Sequence, residues 1–304
     1  MLGMPNIGPA SHGGRAECVA ISGQCGEPLA GTAPERHGSW LLIEHPGPWP
    51  AKDPAQILPK PAAKVCAAAK ELGVQVGLVR RTRDRRTPPP RHVVLASNQG
   101  TEPWLELVEL ADADELAHLD LAALASGRRP GFGPTSTERV LLVCTHGQRD
   151  RCCARHGRPV AQALAAVHGP AVWEATHVGG HRFAANVVCL PESTFHGRVD
   201  PDSALAVGAA CLAGDVVLPH YRGRGGLPAQ VQAAEHTIRV SLGVTGASAV
   251  TLLDAAPDQV RLAVGGTAYT LAVRERPGCA VWASCGDAAT SPTRQFEAVL
   301  RPGR

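Results

Sequence analysis

Aromatic side chains are scarce in this 304-residue chain, with five Trp, four Phe and two Tyr. Aliphatic and alanine-rich packing must therefore fill the interior. No uninterrupted apolar run reaches the length of about eighteen residues that marks a membrane-spanning helix, and the opening MLGMPNIGPASHGG lacks the basic stretch and apolar run of a signal peptide. A cytoplasmic protein without membrane association is expected. An excess of one charge is lacking too: 30 basic and 27 acidic residues leave a formal +3, too balanced to argue for nucleic acid. Ten cysteines are too few for a disulfide scaffold, and a reducing compartment would keep most of them as thiols. Each cysteine then needs its own explanation.

Periodicity divides the chain into parts. Residues 1–126 read as an α/β region, with a strand at Trp40 to Glu44, an alanine-rich helix from Ala62 to Leu72, and strands near Val74 to Arg80 and His92 to Ser97. Between the last two lies RRTRDRRTPPPRH, a cationic, proline-interrupted run that reads as a solvated loop. A Gly/Pro/Ser-rich linker at 127–139 follows. Residues 140–245 open with a strand at Val140 to Val143 and continue with a helix at Pro159 to His168, where Pro159 suits the first turn and Gly169-Pro170 the stop. Strands at Ala171 to Thr176 and Val187 to Leu190 come next. A helix starting at Asp200-Pro201 and ending at Gly214, and another from Pro228 to Leu242, complete the region. Past Gly243 the pattern has period two, with a hairpin turn at Gly265-Gly266, so residues 246–304 read as a small β appendage. Strand, proline-rich turn (HPGPW), helix and strand in the first region echo the second, as an internal duplication would.

Cys144, Cys153, His177 and His181 stand out, with eight, twenty-three and three residues between successive members. Two thiolates and two imidazoles in so short a window can close a four-ligand site for a 2Fe-2S cluster or a single zinc ion. Gly179 and Gly180 permit the backbone angles that turn two imidazoles toward one centre. Arg149 and Arg151 in the cysteine loop would stabilise thiolates, and His146 is placed to bond to cluster sulfur. Cys66, Cys189 and Cys211 read as small buried hydrophobes. Cys18, Cys25, Cys279 and Cys285 have no histidine at ligand spacing and are assigned no role.

The strings VLLVCTHGQRDRCCARHG, EATHVGGHRFAANVVCLPES and HYRGRGGLPAQVQAAE, with the earlier GEPLAGTAPERHGSWLLIEHPGPWP, resemble the sucrase/ferredoxin-like family over roughly residues 16–240. The resemblance implies a thioredoxin-like ferredoxin domain and a 2Fe-2S cluster on Cys144, Cys153, His177 and His181; the echo between the two regions would make the N-terminal α/β region a degenerate thioredoxin-like half. Cys152, adjacent to Cys153, is the competing ligand; the family's spacing favours Cys153. Arg182 joins His146, Arg149, Gly179 and Gly180 as surroundings of the cluster, and Arg222 and Arg224 offer an anion or partner contact.

The expectation is an electron-transfer protein with no catalytic residue of its own, reduced or oxidised by a reductase or acceptor protein. Histidine ligation would make it proton-coupled. The alternatives are a structural Cys2His2 zinc site and a redox sensor whose cluster is lost to signal. Cys144 with His146, or Cys153 with His177, also has the makings of a thiol nucleophile and base, but no orienting third residue follows. Glycoside hydrolysis finds no support, because the sequence shows no recognisable acidic pair and few aromatics to line a sugar cleft. GRGG at 223–226 matches neither a P-loop nor a dinucleotide fingerprint.

Overall fold

The computed structural model describes residues 17–82 and 91–301. The amino-terminal stretch read for a signal peptide, and most of the cationic run between Arg80 and His92, lie outside the described residues.

The elements in order are α1 (Cys18–Gln24), β1 (Ser39–Glu44), α2 (Lys60–Glu71), β2 (Gln75–Arg81), β3 (Arg91–Ser97), β4 (Trp104–Leu110), α3 (Leu121–Ala125), β5 (Thr135–Ser136), β6 (Val140–Cys144), α4 (Arg151–His168), β7 (Val172–Ala175), β8 (Val187–Leu190), β9 (Thr194–His196), α5 (Pro201–Ala213), β10 (Tyr221–Arg224) and α6 (Ala229–Leu242). Four further strands, β11 (Val250–Ala256), β12 (Gln259–Val264), β13 (Thr267–Val281) and β14 (Ser291–Leu300), form a separate antiparallel sheet.

Ten strands make one mixed sheet in the order β10-β9-β8-β6-β7-β2-β1-β3-β4-β5. The suborder β2-β1-β3-β4 repeats as β7-β6-β8-β9. In each set the first two strands in sequence run parallel and are joined through a helix, α2 or α4. The third strand pairs antiparallel on the other side of the first, and the fourth pairs antiparallel with the third. The two sets meet where β2 runs antiparallel to β7, placing Arg80 opposite Glu174. The two halves thus share strand order, strand sense and helix position.

Alternation along the central strands explains why their sequences are almost continuously apolar. Leu42 of β1 faces a core that also holds Leu142, Cys144, Trp173 and Phe195, whereas Leu41 and Ile43 face α2. In β6, Leu142 and Cys144 point one way, and Leu141 and Val143 point toward α4 and α5. Both faces of β6 are buried. The terminal β sheet covers α6 through Val231, Ala234 and Ile238 packed on Val260, Leu262 and Leu271. Its β12–β13 turn is the expected two-residue Gly265-Gly266 hairpin, with Val264 opposite Thr267.

Two expectations need correction. Helix α4 begins at Arg151, and Pro159 is inside it. Asp150 caps it by accepting the Cys152 N–H at 2.8 Å, and Cys153, Gly157, Val160 and Leu164 supply a buried face strong enough to override one missing proline N–H. The 127–139 segment is tied down: β5 pairs with Leu105 and Glu106, and the buried Glu106 carboxylate accepts the N–H groups of Gly131, Phe132 and Gly133 at 3.2, 3.1 and 3.3 Å.

Candidate metal centre

Cys144 is the last residue of β6, and its N–H donates to the Asn186 carbonyl at 3.1 Å. The next residue, Thr145, donates its hydroxyl to Glu174 of β7 at 2.9 Å, fixing the exit of the chain. Cys153 lies in the first turn of α4, where unpaired helix N–H groups favour negative charge. The helix comes this close to β6 because residue 157 is glycine: a Cβ there would collide with the Cys144 carbonyl oxygen. Each of the two cysteines is 1% exposed.

The two histidines come from the loop after β7. Thr176 anchors it by donating its N–H to the Leu78 carbonyl and accepting the Leu78 N–H on its hydroxyl, both at 2.9 Å. Gly180 has φ +75°, and a side chain there would strike the Arg222 guanidinium and the Phe183 ring. The loop brings His177 and His181 together with ring centroids 4.0 Å apart.

Four contacts close a ring of side chains. Cys153 and His177 both lie close enough to Cys144 to lower the pKa of its thiol. Cys153 Sγ lies 3.3 Å from His181 Nδ1, and the two imidazoles stack. A pair of thiols therefore faces a pair of imidazoles. The neighbouring Cys153 holds the Cys144 thiol well below its ordinary pKa, with His177 and the His146 N–H assisting against burial. Cys153 itself is pushed up by Cys144 and then by burial. Burial, followed by the charge of His177, lowers His181 to about 4.

The surroundings differ in part from the sequence reading. The ring of His146 makes no hydrogen bond to the thiols; its Nε2 lies 2.9 Å from the Pro50 carbonyl oxygen and the ring stands edge-on to Trp49. It is the His146 backbone N–H that serves Cys144, while its buried Nδ1 has no hydrogen-bond partner among the described residues. Arg149 is exposed and lines a cleft of about 380 Å³ with Arg36, Lys52, His146 and His177. Arg151 reaches Cys285 instead of the cysteine loop's own thiols. Arg182 pairs with buried Glu27 at 2.8 Å.

Arg222 and Arg224 do not form an external anion site. Arg222 is 1% exposed and donates to Asn186 Oδ1 at 2.7 Å, to the Gly179 carbonyl at 3.1 Å and to Thr32 Oγ1 at 3.1 Å. Arg224 donates to Glu235 at 2.9 Å and to the Val250 carbonyl at 3.0 Å. Arg222 instead braces the histidine loop from behind. Asn186 completes the brace, donating to the Gly180 carbonyl at 2.9 Å.

Sequence reasoning missed Asn186, Glu27 and His37. Asn186 follows an alanine pair without any motif, and Glu27 and His37 come from the opposite half of the chain. Burial, then the charges of His177 and Arg222, pushes His37 down to about 3. Cys152 does not compete for the centre. Its sulfur lies 3.2 Å from Cys285 Sγ, away from the histidines. Two groups among the described residues bring their ligand atoms within 4.8 Å of one another, Cys18, Asp150, Cys152 and Cys285, and Glu17, Cys152 and His156, whereas no three of Cys144, Cys153, His177 and His181 come that close. Cys25 and Cys279, assigned no role from sequence, form a disulfide between α1 and β13. No helix among the described residues is long and apolar enough to cross a membrane.

A family model described as sucrase/ferredoxin-like matches residues 29–223, a span that contains both thiols and both imidazoles of the ring. A Meyerozyma guilliermondii protein named "Altered inheritance of mitochondria protein 32" is 35% identical over 98 residues, which cover 29% of this chain and 35% of that protein. The chain thus spans about a third of the length of the curated relative it matches. No solved structure matches the chain.

Proposed function

The chain belongs to the sucrase/ferredoxin-like family, and from that premise we propose that Cys144, Cys153, His177 and His181 hold a 2Fe-2S cluster and that the protein passes single electrons to and from a redox partner protein. The observation that carries this reading is the closed ring in which two thiols face two imidazoles. Such a ligand set suits a cluster with cysteines on one iron and histidines on the other. The buried, unpartnered Nδ1 of His146 beside the thiols and the N-terminal turn of α4 fit a site that receives an electron-rich group.

A cluster on two thiolates and two imidazoles supplies a one-electron couple at a higher potential than an all-thiolate one. The protein's residues define how that couple meets its surroundings. Cys144, Cys153 and His181 are buried and keep water away. His177 is half-exposed and borders the cationic cleft of Arg36, Lys52 and Arg149, so this face would receive an acidic partner. Proton exchange at a histidine ring nitrogen would occur at His177 rather than His181. The repeated strand-helix-strand-strand topology supports a thioredoxin-like ferredoxin fold with a second, degenerate half, and a cytoplasmic location belongs to the same reading.

A structural zinc ion on the same four residues is the second reading; the 3.3 Å contact between Cys153 and His181 suits two ligands of one ion, and the other two would have to move inward. Visible and low-temperature paramagnetic resonance spectra of anaerobically purified protein, before and after dithionite, separate the two when iron, sulfide and zinc are counted on the same sample. Two irons, two sulfides and a reduced rhombic signal lost in Cys144→Ser are expected. Colourless protein with one zinc lost in Cys144→Ser would replace the cluster by the structural ion.

A further inference from the structure

We propose that Cys18, Cys152 and Cys285, with the carboxylate of Asp150, form a second metal site that binds zinc and fastens the amino-terminal helix and the carboxy-terminal sheet to the helix that carries Cys153. The three sulfurs form a triangle. Cys152 Sγ and Cys285 Sγ are 3.2 Å apart, Cys285 Sγ and Cys18 Sγ 3.5 Å, and Cys18 Sγ lies within 4.8 Å of Cys152 Sγ. Asp150 Oδ2 lies 3.9 Å from Cys18 Sγ, and all four ligand atoms fall within 4.8 Å of one another. Zinc–sulfur bonds of about 2.3 Å in a tetrahedron place the sulfurs about 3.8 Å apart, so a small outward movement of the thiols opens the site.

Burial and chemistry point to the same class of ion. Cys18, Cys152 and Asp150 are buried, and Cys285 is half-buried. A thiolate-rich donor set selects zinc over magnesium or calcium, which need oxygen ligands. Three thiols would release their protons on binding. The surrounding groups would hold the resulting negative charge: the Arg151 guanidinium acts on Cys285, and His156 lies within 4.8 Å of Cys152 with its Nε2 3.3 Å from Glu17. Asp150 is fixed by the Ser284 hydroxyl and the Cys285 N–H, each donating to Oδ2 at 2.8 Å.

The site stands back to back with the first. Adjacent residues in the opening turn of α4 supply one ligand to each, Cys152 outward to α1 and the β13–β14 loop, Cys153 inward to His181. Val19, Ala184 and Trp282 wall it in. The Cys25–Cys279 disulfide joins the same two outer segments, so metal binding would add the attachment of both to α4. The ligands are 132 or more residues apart between segments, which is why no spacing motif announces them.

The test uses the full chain purified under reducing conditions with zinc supplied, and variants Cys18→Ser and Cys285→Ser, both outside α4. Metal content by mass spectrometry, zinc affinity by chelator competition and the zinc K-edge spectrum are read on each. Expected are one zinc per chain lost on either substitution, with affinity weakened by about tenfold or more, an iron content unchanged by either substitution, and a zinc shell of three sulfurs and one lighter atom. Wild-type protein without this zinc, zinc retained at unchanged affinity in both variants, or thiol counts showing a Cys18–Cys285 or Cys152–Cys285 disulfide under reducing conditions would overturn the site. If the first centre holds zinc instead of iron, the wild type carries two zinc ions and each variant one, so failure of the cluster reading and failure of this one remain distinguishable.

Discussion

His177 and His181 stack with their ring centroids 4.0 Å apart and their planes 23° from parallel, yet only His181 is buried. The outer ring is therefore the position that should tolerate a change of ligand. In His177→Cys an anionic thiolate would stand where a neutral imidazole stood, and the extra negative charge makes reduction harder. The variant should keep its iron while its potential falls by on the order of 100 mV. Spectroelectrochemistry beside an iron count reads both; complete loss of iron in His177→Cys and His181→Cys alike would contradict imidazole ligation that a thiolate can replace.

Gly157 sets how near α4 can lie to β6. In Gly157→Ala the new methyl meets the backbone oxygen of Cys144, which no side-chain rotation can relieve. Overpacking of this kind costs about 1–3 kcal/mol, and here it would also push Cys153 away from Cys144. Urea unfolding should show the loss of stability together with weakened iron retention. Gly23 of α1, whose Cβ position is open, is the control: Gly23→Ala should be neutral or stabilising by up to about 1 kcal/mol. Equal behaviour of the two variants would mean that α4 does not rest on the Cys144 carbonyl.

The contrast between these glycines shows what was legible in the sequence. Runs such as WLLIE and VLLVC announced β1 and β6 through their apolar continuity, and the caps Asp200-Pro201 and Gly214 bracketed α5. The spacing of Cys144, Cys153, His177 and His181 marked the four side chains that the fold draws together. What could not be read depends on long-range packing. Arg222 looked like a free cation because its partners, Thr32, Gly179 and Asn186, are brought to it only by the completed sheet. Cys18 and Cys285 looked idle because their neighbourhood forms across 267 residues. Pro159 suggested a helix start, since local preference cannot register the buried face that carries α4 through it.

Glu235 should give stability a dependence on acidic pH. Burial raises its carboxyl, but Arg224 and Arg239 together with the Tyr221 hydroxyl outweigh burial and hold it below the ordinary carboxylate value. Its oxygens accept from Arg239 and Arg224 at 2.9 Å each. A carboxyl depressed in the folded state contributes stability that is complete above its unfolded value of about 4.3 and is lost as pH falls through the folded value. Glu235→Gln leaves the buried guanidinium of Arg239 and the part-buried one of Arg224 facing a neutral amide and should cost about 3–5 kcal/mol at pH 7. That gap should narrow below about pH 4 as the wild-type carboxyl takes up its proton. Urea melts of both proteins at pH 7, 5 and 3.5 test this, and a gap of constant size would remove Glu235 from the ion-pair role.

On the proposed electron-transfer reading, the cleft beside His177 is where electrons would enter. Arg36, Lys52 and Arg149 surround it and are exposed, whereas Cys144, Cys153 and His181 have no such opening to solvent. An anionic reductant should therefore be drawn to this face, and its bimolecular rate should fall as salt screens the cations. Arg149→Glu reverses one charge at the rim without touching a thiol or imidazole of the ring. Stopped-flow reduction by dithionite should be slowed several-fold at low ionic strength, and the two proteins should converge near 1 M salt, where the screening length shrinks to about 3 Å. Because the substitution lies at the surface and removes no ligand, the iron content should stay as in the wild type. A rate indifferent both to salt and to Arg149→Glu would mean that reducing equivalents reach the centre by a different face, and the acidic partner inferred for this cleft would have to be sought there.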